Sequence, residues 1–515
     1  MTLTKYNSYA QPGRFSSGIV LLLILFLAGC TTLPPDLGRS DVDTLISERG
    51  KPVEHQATEA AAKKFVSSLT ASPLTPDGAI RIALVNNPQL QAAYAQLGFA
   101  AADVYAAGRV RNPVFSASLL FPNVPTEANQ LTLGLVTSFT DLITMSSRKR
   151  LSAGAFAALK SSIGAEILQV AAAAERALYL YAGAQQVEAL RNQVALAAAL
   201  SAGLAERFFE AGNMKARELA LERAAASEAR LEALDAAAET QAARTTLATV
   251  LGLSSGSDWT AQNQLYLPVT EEDELDTLLS LAFESRLDLE AAQTNAEVLA
   301  DRLGITNWSR WLGELDVGVS RERETDGSRI TGPELAWELP VFNQHQDAML
   351  RAEAELKIAI AEVRRLTIAV DNSVRLAHAE LQNARLRIAE YQQELIPQRV
   401  EAVARAQEEV NFMLIGVFEL IVTKQQEYAA YQGYLEAIRD YWVVRADLSL
   451  AAGNTLPSSA AIGEQRVETE DFLNPQPADM NHSGHGAMKM EKDMEMNTKT
   501  GEHESHQAEK NGDQP

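Results

Sequence analysis

The chain has 515 residues, a formal net charge of −22 and an apolar content of 46%, of which few residues are aromatic. A chain this long exceeds one compact core, so two large units or one elongated body are expected, and the alanine- and leucine-rich composition is typical of long helices. The acidic balance argues against nucleic-acid binding, because no basic surface offsets phosphate repulsion. The single cysteine excludes disulfides and cysteine zinc sites within one chain.

The N-terminal segment has the form of a bacterial secretion signal. An apolar run at 19–28, too short to span a bilayer, ends in Leu-Ala-Gly-Cys. These four residues resemble the lipoprotein box, in which the cysteine is lipidated and becomes the first mature residue. We therefore expect a lipoprotein signal peptide over 1–29 and a lipidated (palmitate-bearing) segment over 30–74 that begins at Cys30. Thr31 at the next position favours delivery to the outer membrane. No later stretch is expected to form a transmembrane helix, so a membrane crossing would require β-strands.

The chain contains an internal duplication. The segment AIRIALVNNPQLQAA at 79–93 aligns with LLSLAFESRLDLEAA at 278–292 at a constant offset. Each is followed by more helix, two strand-like segments and a very long helical stretch. The predicted units are a first repeat over 75–253, a polar linker over 254–273, a second repeat over 274–453 and a polar tail over 454–515.

The repeats carry clear helix signals. Thr75-Pro76-Asp77 is a helix start, with threonine as the N-cap and proline in the first helical position. In the second repeat a heptad pattern with one stutter predicts a coiled-coil helix over 347–396, about 75 Å long. The seam residues of that heptad are Ala352, Leu356, Ala359, Val363, Leu366, Val370, Val374, Ala377, Leu381, Ala384 and Ile388.

Each repeat also has two segments that alternate between apolar and polar residues. The four segments are VFSASLLFP at 114–122, LTLGLVTSF at 131–139, ELDVGVS at 314–320 and GPELAWELP at 332–340. The connections at 122–130 and 321–330 are predicted to be polar turns. Such segments fit membrane strands and also a half-buried soluble sheet. Four strands cannot close a barrel in lipid, so the membrane interpretation requires several chains to share one barrel.

Junction motifs, taken with the signal and the repeats, resemble the TolC-type outer-membrane efflux channel family over about residues 75–453. Besides the two repeat openings, ELPVFNQHQDAMLRAEAEL resembles a strand-to-helix junction, with Pro340, Phe342 and Asn343 in the matching places. Two segments resemble helix–helix turns, at 206–225 with Gly212 and at 411–428 with Gly416. Two departures stand out. The first repeat has SFTDLITMSSRKR in place of the proline junction, and the second turn is shorter between its glycine and the next leucine.

The resemblance implies a mostly α fold with a small transmembrane β portion. A homotrimer would form an α-helical tunnel and share a 12-stranded barrel. It also implies a passive conduit rather than an enzyme, with no required cofactor. A periplasmic adaptor and an inner-membrane pump, of the RND type, would dock at the turns around Gly212 and Gly416. His55, His345 and His378 are isolated in the sequence and are expected to have ordinary packing or surface roles.

Two features bear on the cargo. If the apolar strand faces contact lipid, then Glu314, Asp316, Glu334 and Glu338 line the lumen, and acidic rings favour cations. Generic solvation of a pore is an equally open interpretation.

The second feature is the tail, where 480–506 holds four of the seven histidines and five of the ten methionines. Thioether sulfur selects Cu(I), and by similarity Ag(I), while imidazole also suits Cu(II). The polar composition between the ligands predicts a disordered segment. The candidate metal ligands are His482, His485, Met488, Met490, Met494, Met496, His503 and His506.

Three functional hypotheses remain open. The first is an outer-membrane channel that exports copper-group cations, as in a heavy-metal-associated member of the family. The second is the same channel with an organic cargo, such as drugs or solvents, and an incidental tail. The third is a periplasmic coiled-coil lipoprotein without a pore, such as an adaptor or a metal-buffering scaffold.

Overall fold

The computed structural model describes residues 36–467, except 55, 57, 125 and 255. This part contains eleven α-helices, one four-stranded sheet and one two-stranded sheet. The helices are α1 (Arg39–Ser47), α2 (Glu59–Thr70), α3 (Pro76–Asn86), α4 (Pro88–Ala107), α5 (Phe139–Glu210), α6 (Ala216–Leu251), α7 (Leu275–Ser285), α8 (Leu287–Ser309), α9 (Gln346–Glu390), α10 (Ile396–Asn411) and α11 (Val417–Ala452). The strands are β1 (Val114–Leu120), β2 (Gln130–Ser138), β3 (Leu265–Tyr266), β4 (Leu315–Arg323), β5 (Arg329–Trp337) and β6 (Arg466–Val467).

The element order confirms the duplicated helix–strand–strand–long-helix pattern. Helices α3 and α4 begin at Pro76 and Pro88, and their counterparts α7 and α8 begin at Leu275 and Leu287, so both pairs keep one constant offset. Thr75 caps α3 as predicted, since its hydroxyl accepts a hydrogen bond from the Gly78 amide at 3.1 Å.

In each repeat, a side chain near the end of the first short helix donates a hydrogen bond to the C-terminus of the last long helix. The side-chain amide of Asn86 donates to the carbonyl of Leu251 at 3.0 Å, at the end of α6. In the second repeat Arg286 donates to the carbonyl of Ala451 at 3.2 Å, at the end of α11. Both bonds satisfy carbonyls that a helix C-terminus leaves without an intrahelical partner, and they fix the short N-terminal helices against the long ones.

The long helices are continuous over distances that a globular core would not need. Helix α5 has 72 residues, about 108 Å at the usual rise. Eight of the eleven predicted heptad positions on α9 are buried, so the coiled-coil seam is confirmed.

The prediction that this second long helix ends near Ile396 is wrong. A five-residue π-helical turn, Tyr391–Leu395, joins α9 to α10, and the helix runs on to Asn411. Pro397 lies in the first turn of α10. In a regular α-helix, proline lacks a backbone donor and its ring clashes with the carbonyl four residues earlier. That carbonyl belongs to the π-helical turn, whose backbone is wider, so the helix can continue past the proline.

The four-stranded sheet is antiparallel throughout, in the order β1–β2–β4–β5. Strands β2 and β4 come from different repeats, so the duplication builds one sheet rather than two. The predicted turn at 321–330 is too long, because β4 continues to Arg323 and β5 begins at Arg329. Only five residues turn the chain there, with Gly327 at a φ of +89°, a conformation that glycine adopts without strain.

A buried cluster of charged and aromatic side chains fixes the linker (254–273) to α11. Glu272 and Arg445 form an ion pair whose side chains are 2% and 4% exposed. The Tyr441 hydroxyl also donates to Glu272, and the Trp442 indole donates to the carbonyl of Tyr266 in β3 at 2.7 Å. Burial, followed by the Glu272 carboxylate, raises the pKa of Tyr441, because both disfavour the phenolate.

One helix meets a length-and-composition criterion for a membrane span. A stretch of α5 is long and apolar enough to pass, which by itself is weak evidence for a transmembrane helix. Its many alanines raise the hydropathy of a helix that the sequence pattern places in a long bundle.

Candidate channel elements

The two faces of the four-stranded sheet differ in chemistry. Asp316 pairs with Ala336 and Glu334 pairs with Gly318. Because neighbours on alternate positions share a face, both carboxylates lie on the same face. Small and hydroxyl residues fill the cross-strand row beside them. That row consists of Ser116, Gly134, Ser320 and Gly332.

The opposite face is apolar and open to solvent in the single chain. Six of its large side chains are half or more exposed: Phe115, Leu119, Leu135, Val319, Leu335 and Trp337. Paired positions on this face, such as Phe115 with Leu135 and Val317 with Leu335, are apolar on both strands. A large exposed apolar surface on a sheet marks a contact with lipid or with another protein.

Glu314 and Glu338 flank the strands rather than lying in them. The Glu338 amide donates to the Glu314 carbonyl at 2.8 Å, which extends the ladder by one bond. The guanidinium of Arg111 stands 3.8 Å from the Glu314 carboxylate and 2.7 Å from Asp141. The acidic charge at this end of the sheet is therefore partly balanced, which the sequence did not indicate.

A third acidic residue on the polar face escaped the sequence reasoning. Glu322 lies in β4, opposite Thr132 and Ile330, and accepts a hydrogen bond from Gln130. The strong polarity of RERETDGSRI predicts a turn over the whole segment. Its strict alternation continued the strand, and that signal could have identified Glu322.

An open cavity of about 400 Å³, lined by many polar side chains, lies at the junction between the sheet and the helices. Asp141, in the first turn of α5, is buried there and lies 3.3 Å from Arg148 as well as close to Arg111. The first repeat lacks a proline junction, and Ser138 takes its place: its hydroxyl accepts from the Asp141 amide at 3.4 Å and caps α5. His345 also lines this cavity, with a φ of +57° just before α9.

The two helix–helix turns have equal lengths, 211–215 and 412–416, although the spacing from glycine to the next leucine differs between them. Their glycines occupy different positions. Gly212 follows the end of α5 with a φ of +78°, whereas Gly416 is the N-cap of α11 with a φ of −82°. The residue in the second turn that matches Gly212 in conformation is Met413, with a φ of +59°.

The second turn also exposes a run of apolar side chains. Phe412, Met413 and Leu414 are largely solvent-exposed, Met413 to 91%. The ring of Phe208 at the end of α5 lies 6.1 Å from that of Phe418 at the start of α11, in an edge-to-face contact. The two turns therefore lie at the same end of the helices and form one surface.

The remaining candidate residues lie outside the described part of the chain. They are Cys30, His482, His485, Met488, Met490, Met494, Met496, His503 and His506. Within residues 36–467, apart from the four gaps, no group of histidine, cysteine, aspartate and glutamate side chains is placed to hold a metal ion.

No protein-family model matches the chain, and no curated protein matches it. Solved structures do. The CmeC outer membrane channel of Campylobacter jejuni matches with a TM-score of 0.62 at 16% identity, over 82% of this chain and 92% of that one. The outer-membrane channel OprN gives 0.62 and 16%, over 78% and 94%. The outer membrane protein VceC of Vibrio cholerae gives 0.61 and 17%, over 74% and 96%.

The fold is that of the outer-membrane channels. This confirms the predicted fold class, mostly α with a small β portion and a duplicated element order. CmeC and OprN are outer-membrane channels, in keeping with the expectation that this chain is a passive conduit and not an enzyme. At 16–17% identity this likeness concerns the fold.

Proposed function

We propose that this chain is the outer-membrane channel of a tripartite efflux system, a passive conduit from the periplasm or cytoplasm to the exterior. The observation that carries the proposal is one sheet with an apolar and a polar face whose strands lead into helical stretches of about 100 Å. A sheet of this kind suits a bilayer, and helices of this length suit a tunnel below it.

The open edges of the sheet support a homotrimer. Among the residues that the structure describes, strands β1 and β5 each have a pairing partner on one side only. In lipid an unpaired edge leaves backbone groups without hydrogen bonds, so the edges must pair with other copies. Three copies would supply twelve strands, the number that the resemblance to the channel family implies. Asp316, Glu334 and Glu322 would then face the lumen, and the apolar face would contact lipid.

The surface formed by the two turns is the proposed docking site for a periplasmic adaptor, which would connect the channel to an inner-membrane pump of the RND type. The exposed apolar run around Met413 supports this placement, since such side chains at a helical tip suit a protein contact. Cys30 would carry the lipid that anchors the chain to the outer membrane.

Copper-group cations are the proposed cargo. Carboxylates on the polar sheet face favour cations, and soft ligands in the tail at 480–506 would capture Cu(I) or Ag(I) near the channel rather than transform it.

The oligomer can be tested on the full chain purified in mild detergent. Native mass spectrometry should give three copies per particle, and a stable monomer would contradict the shared sheet. A lipid mass on the N-terminal peptide, lost in Cys30→Ser, would support the anchor.

The cargo needs a matched pair of strains. One expresses a chain that lacks 480–515, and the other keeps the full length but carries serine at the eight proposed ligands in the tail. If both lose copper and silver tolerance while drug tolerance stays normal, the metal proposal is supported. If drug tolerance depends on the channel and metal tolerance does not, the cargo is organic and the tail is incidental.

A further inference from the structure

We infer that the hairpin end of the sheet binds the phosphate groups of an anionic membrane lipid, through Arg321, Arg323 and Arg329. The inference rests on the proposed function, because it requires the sheet to lie in a bilayer. It concerns a lipid-binding surface and not the conduit itself.

The three arginines share one face of two neighbouring strands. Arg323 pairs directly with Arg329, and Arg321 pairs with Thr331. Across the other side of β4, Arg321 and Arg323 lie opposite Leu133 and Leu131 of β2. All three arginines are exposed, and they therefore form a cationic patch on the apolar face of the sheet, at its end farthest from the helices.

No described carboxylate lies within ion-pair distance of the three arginines. Neither Arg321, Arg323 nor Arg329 forms an ion pair or a side-chain hydrogen bond with a described residue. Two of the hairpin's three acids have other partners: Glu322 lies on the opposite face beside Gln130, and the Asp326 carboxylate accepts from the Ser328 amide at 2.7 Å. The third, Glu324, lies in the turn and forms no ion pair with the three arginines, whose summed charge it balances only in part. Like charges directly opposite each other on a sheet are destabilising. A bound anion would reduce the repulsion between Arg323 and Arg329.

The surroundings identify the anion as the headgroup of a lipid. On β4 the same face carries Leu315, Val317 and Val319 before Arg321, and Leu335 and Trp337 continue it on β5. Apolar surface on one side and cations on the other match an amphiphile with acyl chains and an anionic head, whereas a free phosphate would use only the arginines.

The dimensions agree with a headgroup position. From Leu315 to Arg321 the strand advances about 20 Å. The exposed side chains of Leu142 and Ile143 lie near the start of α5, which follows β2 directly. An outward-facing apolar band is about 25 Å tall in outer-membrane barrels, and arginine is tolerated at its borders but costly at its centre. The arginines thus lie at the border of the band and not within it.

The test uses the full chain reconstituted in nanodiscs of phosphatidylcholine, alone or with phosphatidic acid as the probe. Retention of each lipid after mild detergent extraction is measured by native mass spectrometry, at low and high salt. The variant is R321Q/R323Q/R329Q. Its matched control is R364Q/R375Q/R405Q, which removes three exposed arginines from α9 and α10.

Wild type should retain phosphatidic acid in preference to phosphatidylcholine, and salt should weaken this preference. The glutamine variant should lose up to roughly a hundredfold of it, about fivefold for each cation near an anionic surface. The control and R321K/R323K/R329K should keep it. The lysine variant also guards against a misfolded glutamine variant, because it retains the charge with little change in size.

Several results would overturn the inference while leaving the channel intact. One is a glutamine variant that inserts and conducts normally yet keeps the wild-type lipid preference. Another is competition by inorganic phosphate as effective as that by phosphatidic acid, which would indicate an anion site without a lipid role. If wild type inserts into neither kind of nanodisc, the proposed function itself fails.

Discussion

Replacing Glu272 with alanine should destabilise the attachment of the linker to α11. The carboxylate is paired with Arg445, and the two side chains are almost completely buried. It also accepts a hydrogen bond from the Ser458 hydroxyl at 3.3 Å. After the substitution the guanidinium stays buried with only the hydroxyls of Ser458 and Ser459, at 2.8 and 3.3 Å. An uncompensated buried charge of this kind lowers the free energy of unfolding by about 3–5 kcal/mol.

The chain offers a matched exposed pair as the control. Arg375 and Asp371 are 3.0 Å apart on α9, and their side chains are 51% and 38% exposed. Asp371→Ala should change the free energy of unfolding by about 0.5 kcal/mol or less, because water and salt screen the pair.

Thermal unfolding followed by circular dichroism, at one heating rate for all variants, measures the difference. Glu272→Ala should lower the midpoint by roughly 6 °C or more, at about 2–4 °C per kcal/mol for a large domain. A double variant that also carries Arg445→Met should recover part of the loss, since it removes the stranded charge. A shift no larger than that of Asp371→Ala would refute the reasoning.

Three further outcomes test other parts of the structure by the same unfolding measurement. Gly212→Ala should cost about 1 kcal/mol, because an L-residue is strained at a φ of +78°; Gly416→Ala, at −82° in open space, should be nearly neutral, and equal effects would contradict the assignment. Leu381→Ala, at a fully buried seam position, should cost about 2–5 kcal/mol, and Leu386→Ala, 71% exposed, about 0.5 kcal/mol or less; a similar loss for both would argue against the seam. Tyr441 has a raised pKa in the folded chain, so its contribution is complete below pH 10.0 and is lost as the pH rises further. Stability should therefore fall more steeply above pH 10.0 in wild type than in Tyr441→Phe, and parallel curves would contradict a neutral buried phenol.

Local sequence patterns were sufficient to predict the main helices and strands and the buried heptad positions of α9. The heptad from Ala352 to Ile388 places apolar residues on one side of a helix, and the structure buries most of them. Thr75 and Pro76 mark a helix start by backbone chemistry alone. Alternation in the strands placed Asp316 and Glu334 on a common face before the register was known.

Features that depend on distant contacts or on competing signals escaped the sequence. Proline predicts a helix end, and only the π turn at Tyr391–Leu395 shows how the helix continues past it. Glu272 and Arg445 are 173 residues apart, so no local pattern links them. Gly416 was assigned to the tip by resemblance, but the strained position of that turn is held by Met413.

Single-channel recording in planar bilayers tests the conduit most directly. Purified full chain should insert and give stable, cation-selective conductance steps. Asp316→Asn with Glu334→Gln should keep the steps but reduce the selectivity, because the variant removes two carboxylates from each subunit. Chain that inserts as an intact oligomer yet gives no conductance would contradict the channel proposal.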